Sequence, residues 1–372
     1  MEKHAKNNRL YRLDALRAFS VIIVVLGHST QYFPYDQIGV IIFFVISGFI
    51  ITRLLISEQN RTNQFNVVAF YMRRLLKIVP PLLALIVIPS ILVQVFQHTR
   101  FPALGSQIFF YFNYWIVNNG QSGYLRGSGV VWSLSIEEQF YLLIALAWVC
   151  IVRMKSSAKW LLYLYAGIFL ASSVSKFFID YAQNDRLIYG TQNRISAIAL
   201  GGILAICISN PFNFKLENKL KLSVPASTFL LTISLALFLT SASFIFLNSS
   251  NIENTNATAG NDFVWHLVFA EFGALFLVWS AVLDDGWPKL VEKISKNSVI
   301  QMVGLASYSI YLVHHVVIFA ISQTVEDIPS RWIQVIMRVL IGLCVGILAH
   351  HVFDKPFEKY RTYWRNRAAL SS

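Results

Sequence analysis

Arg17 and His28 bracket an otherwise apolar run, Ala18 to Gly27, near the start of a chain of 372 residues. Ionisable side chains in a membrane-length apolar segment are costly, and they usually face a bundle interior or a water-filled path. Eleven residues at roughly 100° each return to within about 20° of the starting direction, and at roughly 1.5 Å per residue they climb about 16 Å. The spacing predicts both side chains on one helix face, one near the inner membrane surface and one deep in the outer half. Glu137, in the segment Val130 to Leu142, falls about seven residues, or roughly 10 Å, below the outer mouth of its own helix. His28 falls about five residues, or roughly 8 Å, below the outer end of the first helix. These matched depths allow a His28–Glu137 contact, in which a carboxylate orients an imidazole and stabilises its charged form to make a general base. The plainer alternative is two satisfied polar residues in a bundle.

Two further groupings have chemical potential. Arg73, Arg74 and Lys77 crowd the entrance of the apolar run that follows them, and Arg74 and Lys77 are neighbours on one helix face. Such a cluster either anchors a helix on the positive side of a membrane or offers convergent cations to a phosphorylated ligand. Ser307, Tyr311 and His314 follow i, i+4, i+7 spacing and share a face carrying hydroxyls and an imidazole. His315 points away from that face and reads as a packing or interfacial residue. Arg194 fits interfacial snorkelling as well as substrate binding. Glu271 and Arg338, at comparable depths, read as a mutually neutralising structural pair.

These residues need a helical frame, and the composition supplies one. Hydrophobic residues make up 56% of the chain and charged residues only 13%, with a mean hydropathy of +0.55. Soluble domains carry about 25% charge, so this is an all-α, polytopic membrane protein. The formal charge of +12 is spread between apolar segments rather than gathered in one patch, which argues against a nucleic-acid partner and for topology signals. Apolar runs of spanning length place about ten helices, near 13–33, 37–56, 75–96, 130–152, 159–179, 195–210, 225–248, 263–283, 304–322 and 332–352. With the N-terminus inside, 22 of the 31 Lys and Arg residues fall in inner segments and 5 in outer ones. That bias predicts both termini in the cytoplasm. Residues 106–118 are too short and too aromatic to cross, and read as an interfacial or re-entrant piece. Cys150, Cys207 and Cys344 show no metal spacing and read as packing residues, so neither a metal site nor a disulfide framework is expected. The basic N-terminus lacks a small-residue cleavage site, so the first helix is expected to be retained. The chain reads as one integral-membrane domain over 1–372, with no soluble domain after its last helix.

Four blocks in order resemble the integral-membrane acyltransferase family 3, which contains bacterial O-acetyltransferases of surface polysaccharides. Arg17 with His28 is similar to its first-helix signature, and Phe43 to Thr52 (Phe-Phe-Val-Ile-Ser-Gly-Phe-Ile-Ile-Thr) to its second. Trp132 to Tyr141 and Ser307 to His314 are similar to two more blocks. There are departures: the family's Arg-x-x-Arg before helix three has Lys77 at its second position, which keeps charge but loses bidentate phosphate binding. Asp354 stands where relatives often have Glu. The extracytoplasmic hydrolase-like domain of many relatives is not seen in this chain.

The resemblance implies transfer of an acyl group, most often acetyl, from cytosolic acetyl-CoA as co-substrate to a glycan or lipid-linked saccharide hydroxyl, in the bacterial inner membrane and without a permanently bound cofactor. It implies catalysis by His28 with Glu137, and donor binding by Arg17, Arg73, Arg74 and Lys77. It also implies a substrate pocket of Trp132, Ser133, Arg194, Ser307, Tyr308, Tyr311 and His314. O-antigen, exopolysaccharide and lipid-linked acceptors all stay open, as does a homo-oligomer. The rival reading is a glycolipid transporter or flippase, where intramembrane His, Glu and Arg are equally at home; inverted repeats would mark one, and none is evident. A scaffold subunit of a polysaccharide synthesis complex is a weaker third.

Overall fold

The computed structural model describes residues 2–30, 36–62, 64–93, 99–154, 157–179, 184–209, 225–249, 256–283 and 285–370. Among them every regular element is helical, and nine helices are long and apolar enough to cross a membrane. The expected first span is one helix, α1 (Glu2–Ser29), but it is not among those nine. Charged residues from Glu2 to Arg17 leave only its second half continuously apolar. The inner loop at 211–224 and residues 250–255 of the outer loop lie outside the described residues.

The chain packs as two compact units. One comprises Met1–Ser20, Gln37–Leu54 and Lys155–Gly304. It holds the first part of α1 and of α2 (Asp36–Thr62), with α7 (Ser157–Lys176), α8 (Thr191–Ile208), α9 (Ala226–Ser249), α10 (Asn256–Val282) and α11 (Lys289–Ser295). Here α7 packs on α8 and α9 on α10. Buried hydroxyls tie the helices: Thr52 on α2 bonds Tyr165 on α7 at 2.6 Å, and Ser234 on α9 donates to the Gly273 carbonyl on α10 at 2.8 Å. Bonds of this kind satisfy polar groups that lipid cannot.

The other unit comprises Val21–Asp36, Leu55–Met154 and Leu305–Ser372. It contains α3 (Val67–Leu82), α4 (Phe101–Ile108), α5 (Phe112–Asn119), α6 (Val131–Ile151), most of α12 (Ser298–Glu326), α13 (Arg331–Ala349) and α14 (Glu358–Leu370). Helix α3 starts earlier than the apolar run predicts, because Asn66 caps it by accepting from the Ala69 amide at 2.9 Å. Arg73, Arg74 and Lys77 are therefore helical residues rather than a preceding cluster. Pro80 and Pro81 then remove two amide donors, and the helix relaxes into a π turn, Leu83–Val87. The segment expected not to cross is two eight-residue helices, α4 and α5, joined where Phe110 takes a φ of 56°. Gln139 on α6 holds that turn, donating to the Phe110 carbonyl at 2.7 Å and to Asn113 at 2.9 Å. Helix α14 returns to pack on α3.

The three cysteines are free and exposed, which corrects their reading as packing residues. They sit on the outward faces of spanning helices, where a thiol behaves as a small apolar group.

Candidate active site

Three histidines and an aspartate converge in the second unit. On α12, His314 points its Nδ1–H at the carbonyls of Tyr311 (2.8 Å) and Ile310 (3.1 Å). Backbone carbonyls only accept, so Nδ1 carries the proton and Nε2 presents a lone pair in the neutral ring. His28, in the last turn of α1, faces that lone pair with its own Nδ1 at 3.0 Å and must donate to it. The remaining nitrogen, His28 Nε2, is left with a lone pair that no hydrogen bond among the described residues occupies. A backbone geometry on α12 thereby sets the tautomer of a side chain 286 residues away.

Asp36, in the first turn of α2, places its Oδ2 at 3.8 Å from His28 Nε2. That is too long for a hydrogen bond, as expected where a lone pair faces a carboxylate. Once Nε2 takes a proton the same carboxylate stabilises the cation. Gly27 permits the approach, since a Cβ there would come within 2.6 Å of the Asp36 Cβ. His315, expected to pack elsewhere, lies on His28 with ring centroids 4.1 Å apart and planes at 24°. Gly127 packs against its backbone with a φ of 84°, and a Cβ there would lie 2.5 Å from the His315 carbonyl, so no side chain is accommodated. Ser133 and Tyr311 also meet, with their hydroxyls 2.7 Å apart, and Trp132 and Ser307 are buried.

Glu137 does not join this group. The carboxylate facing His28 is Asp36, and Glu137 accepts from the Tyr141 hydroxyl at 2.7 Å. Equal depth on two helices leaves the rotation of each helix open, and Asp36 is the carboxylate that rotation brings to His28.

Around α3 the expected donor cations are already engaged. Arg73 pairs with Glu58 at 2.9 Å. Lys77 pairs with the fully buried Asp354, which also receives Arg361 at 2.6 Å and His350 at 2.8 Å. Tyr308 donates to the Ile78 carbonyl at 2.9 Å. Arg74 lies over the Tyr141 ring at 4.2 Å, and among the described residues no carboxylate stands within ion-pair distance of it. The set is thus one open cation and two neutralised ones.

The first unit holds the other residues singled out from sequence. Arg17 is 3.9 Å from Asp14. Arg194 is 1% exposed, too buried to snorkel, and donates to the Ile188 carbonyl (2.8 Å) and to Gln37 (2.7 Å). The supposed Glu271–Arg338 pair does not form. Glu271 is taken by Lys176 and by Ser196 at 2.7 Å, whereas Arg338 reaches the Ser29 carbonyl at 3.4 Å and Glu326 at 3.6 Å. Lys176 was the missed partner, an intramembrane lysine visible in the sequence at the far end of α7 from Lys159.

A family model described as an acyltransferase domain matches residues 10–351. The O-acetyltransferase OatA of Staphylococcus aureus strain NCTC 8325 is 28% identical over 377 aligned residues, covering 96% of this chain and 59% of OatA. OatA of strain COL gives the same figures. The chain therefore spans about three-fifths of the length of the curated relatives it matches. No solved structure matches it significantly.

Proposed function

The chain belongs to acyltransferase family 3, and from that membership we propose that it is a membrane O-acyltransferase. It moves an acetyl group from acetyl-CoA to a hydroxyl of a cell-surface or lipid-linked glycan. The observation that carries this reading is the unoccupied lone pair of His28 Nε2, fixed by His314 and faced by Asp36. In the transfer, the acceptor oxygen attacks the thioester carbonyl carbon while its proton passes to His28 Nε2. The C–O bond forms, the C–S bond breaks, and the leaving thiolate takes the proton back. Asp36 stabilises the imidazolium between these events.

On this reading Arg74 is the cation offered to the donor's phosphates, and Arg73 and Lys77 position its helix through Glu58 and Asp354. The family match crosses both packing units, which supports treating residues 1–372 as one catalytic domain. The Lys/Arg distribution supports a bacterial inner-membrane protein with both termini in the cytoplasm. A cysteine at Ser57 is then shielded from an impermeant thiol reagent in intact cells, and one at Ser122 is labelled, after the three native cysteines are changed to Ala.

The deciding assay uses purified protein, acetyl-CoA and surface glycan stripped of its O-acetyl groups with mild base, taken from the cells that carry the protein. Free CoA and a glycan heavier by one acetyl group are expected together. An intact thioester in the presence of that glycan would overturn the reading and restore the transporter alternative.

A further inference from the structure

Acyl transfer needs a second group besides its base. The tetrahedral intermediate carries a full charge on the former carbonyl oxygen, and a preorganised donor must sit where that charge develops. Most polar groups near His28 are already committed. His28 Nδ1–H is used on His314, both nitrogens of His314 are occupied, and the Tyr311 hydroxyl is shared with Ser133 and the Val130 carbonyl. His315 is different. Its Nδ1 is enclosed with no hydrogen-bond partner among the described residues, although the residue as a whole is only half-buried. The nitrogen it can show a ligand is therefore Nε2.

We propose that His315 is a catalytic residue of this site, donating Nε2–H to the oxyanion of the tetrahedral intermediate formed at His28. The proposal rests on the acyl-transfer reading. A proton on the enclosed Nδ1 would be a buried donor without an acceptor, whereas Nε2 is not among the enclosed unpartnered atoms and can carry the proton toward a ligand. The rings are stacked with centroids 4.1 Å apart, close enough for both to serve one small group. In the adduct the attacking oxygen and the oxyanion are on one carbon, so one ring serves each. His315 is held firmly enough for this duty, with Phe319 against its ring at 4.8 Å and Gly127 against its backbone.

The electron and proton count closes without another reactant. As the acceptor oxygen bonds to carbon, its proton moves to His28 Nε2 and the carbonyl π pair moves to oxygen, where His315 Nε2–H meets it. Collapse re-forms the carbonyl and expels the thiolate, which leaves with the proton from His28. His315 keeps its own proton throughout.

Three full-length variants test this in the glycan assay. His315→Phe keeps a ring on His28 but removes the N–H. His315→Met and His315→Gln are nearly equal in shape, and only the glutamine carries an N–H near the Nε2 position. His315→Phe and His315→Met should lower kcat by about 100- to 1000-fold, the cost of losing one oxyanion donor. KM for acetyl-CoA should stay within about threefold, and His315→Gln should recover at least about tenfold of the lost rate. If the phenylalanine variant melts early, the Met and Gln pair carries the same comparison. A kcat for either N–H-free variant near that of the wild type, a glutamine variant no better than methionine, or an effect confined to KM would each overturn the assignment. Wild type and His28→Ala run alongside: inactive wild type removes the acyl-transfer reading itself, whereas active wild type with unaffected His315 variants removes only this inference.

Discussion

Two clusters of ionisable side chains lie among the long helices of this protein, and they are finished differently. In the first unit Lys176 and Glu271 are 0% and 3% exposed, and Ser196 bonds to both. In the second unit His28 and Asp36 are 24% and 25% exposed, and their nearest atoms stop at 3.8 Å. A charged pair taken out of water must recover its desolvation cost through close contact and further hydrogen bonds. The lysine cluster has done so and has nothing left to offer a ligand. On the proposed reading the histidine cluster keeps one lone pair and one donor in reserve, and that reserve would separate a reactive group from a structural one.

The largest expected effect tests the reactive side. His28→Ala should reduce acetyl transfer by about 100- to 10,000-fold, the range for removing a general base, with little change in thermal midpoint because the imidazole is half-buried. Measurement of CoA release and melting on the same preparation checks both. Activity within a few-fold of wild type would place His28 among the structural residues and erase the contrast.

Lys176→Met should do the reverse. Removing one partner of a buried ion pair costs about 3–5 kcal/mol, since the other charge stays buried alone. The double variant Lys176→Met with Glu271→Leu should regain most of that loss. Detergent-solubilised melting curves report it, and kcat per folded molecule should stay near the wild-type value. A single variant as stable as wild type would mean that water already reaches Glu271.

The sequence made one half of this contrast easier to read than the other. Membrane-length periodicity located the helices, and the Arg17 to His28 spacing singled out the histidine proposed as the base. Asp36 and His315 were missed for a physical reason. Depth along a helix follows from counting residues, whereas the neighbour a side chain meets depends on how each helix is rotated. The same gap produced the Glu137 partnership and the Glu271–Arg338 pair. It also hid the carboxylates opposing Arg73 and Lys77, because Glu58 and Asp354 come from a different helix and from a turn 277 residues away. His314 was found by its hydroxyl-bearing face, but its task of setting the His28 tautomer depends on a contact between distant segments.

Arg74 occupies the middle of the range. Its neighbours Arg73 and Lys77 are neutralised and it is stacked, so it should act on binding rather than on chemistry. Arg74→Ala should raise KM for acetyl-CoA by about tenfold, the worth of one charge-assisted hydrogen bond, and leave kcat and the glycan KM nearly unchanged. Equal effects on both substrates would place it with the structural cations.

The smallest effect concerns an ion cluster outside the spans, where solvent screening replaces lipid. Glu292 on α11 accepts from Tyr11 and pairs with Arg12 at 3.1 Å and Lys296 at 3.3 Å. Burial alone would raise its pKa, but the bonds from Tyr11 and Arg12, the Arg12 charge and then Lys296 outweigh it and hold the carboxyl below its ordinary 4.5. A carboxyl whose folded pKa is depressed stabilises the fold above its unfolded pKa, and loses that contribution as pH falls through the folded value. Glu292→Gln should therefore cost about 1 kcal/mol at neutral pH, at the low end for bonds to a charged group because 19% of the side chain meets solvent. The gap between wild type and variant should close as pH drops well below 4.5. Thermal midpoints of both proteins, measured across that interval in one detergent, decide the matter. A gap that persists unchanged in acid would show that the stabilisation comes from packing rather than from the ionised carboxylate, and would set this cluster apart from Lys176–Glu271 in kind as well as in size.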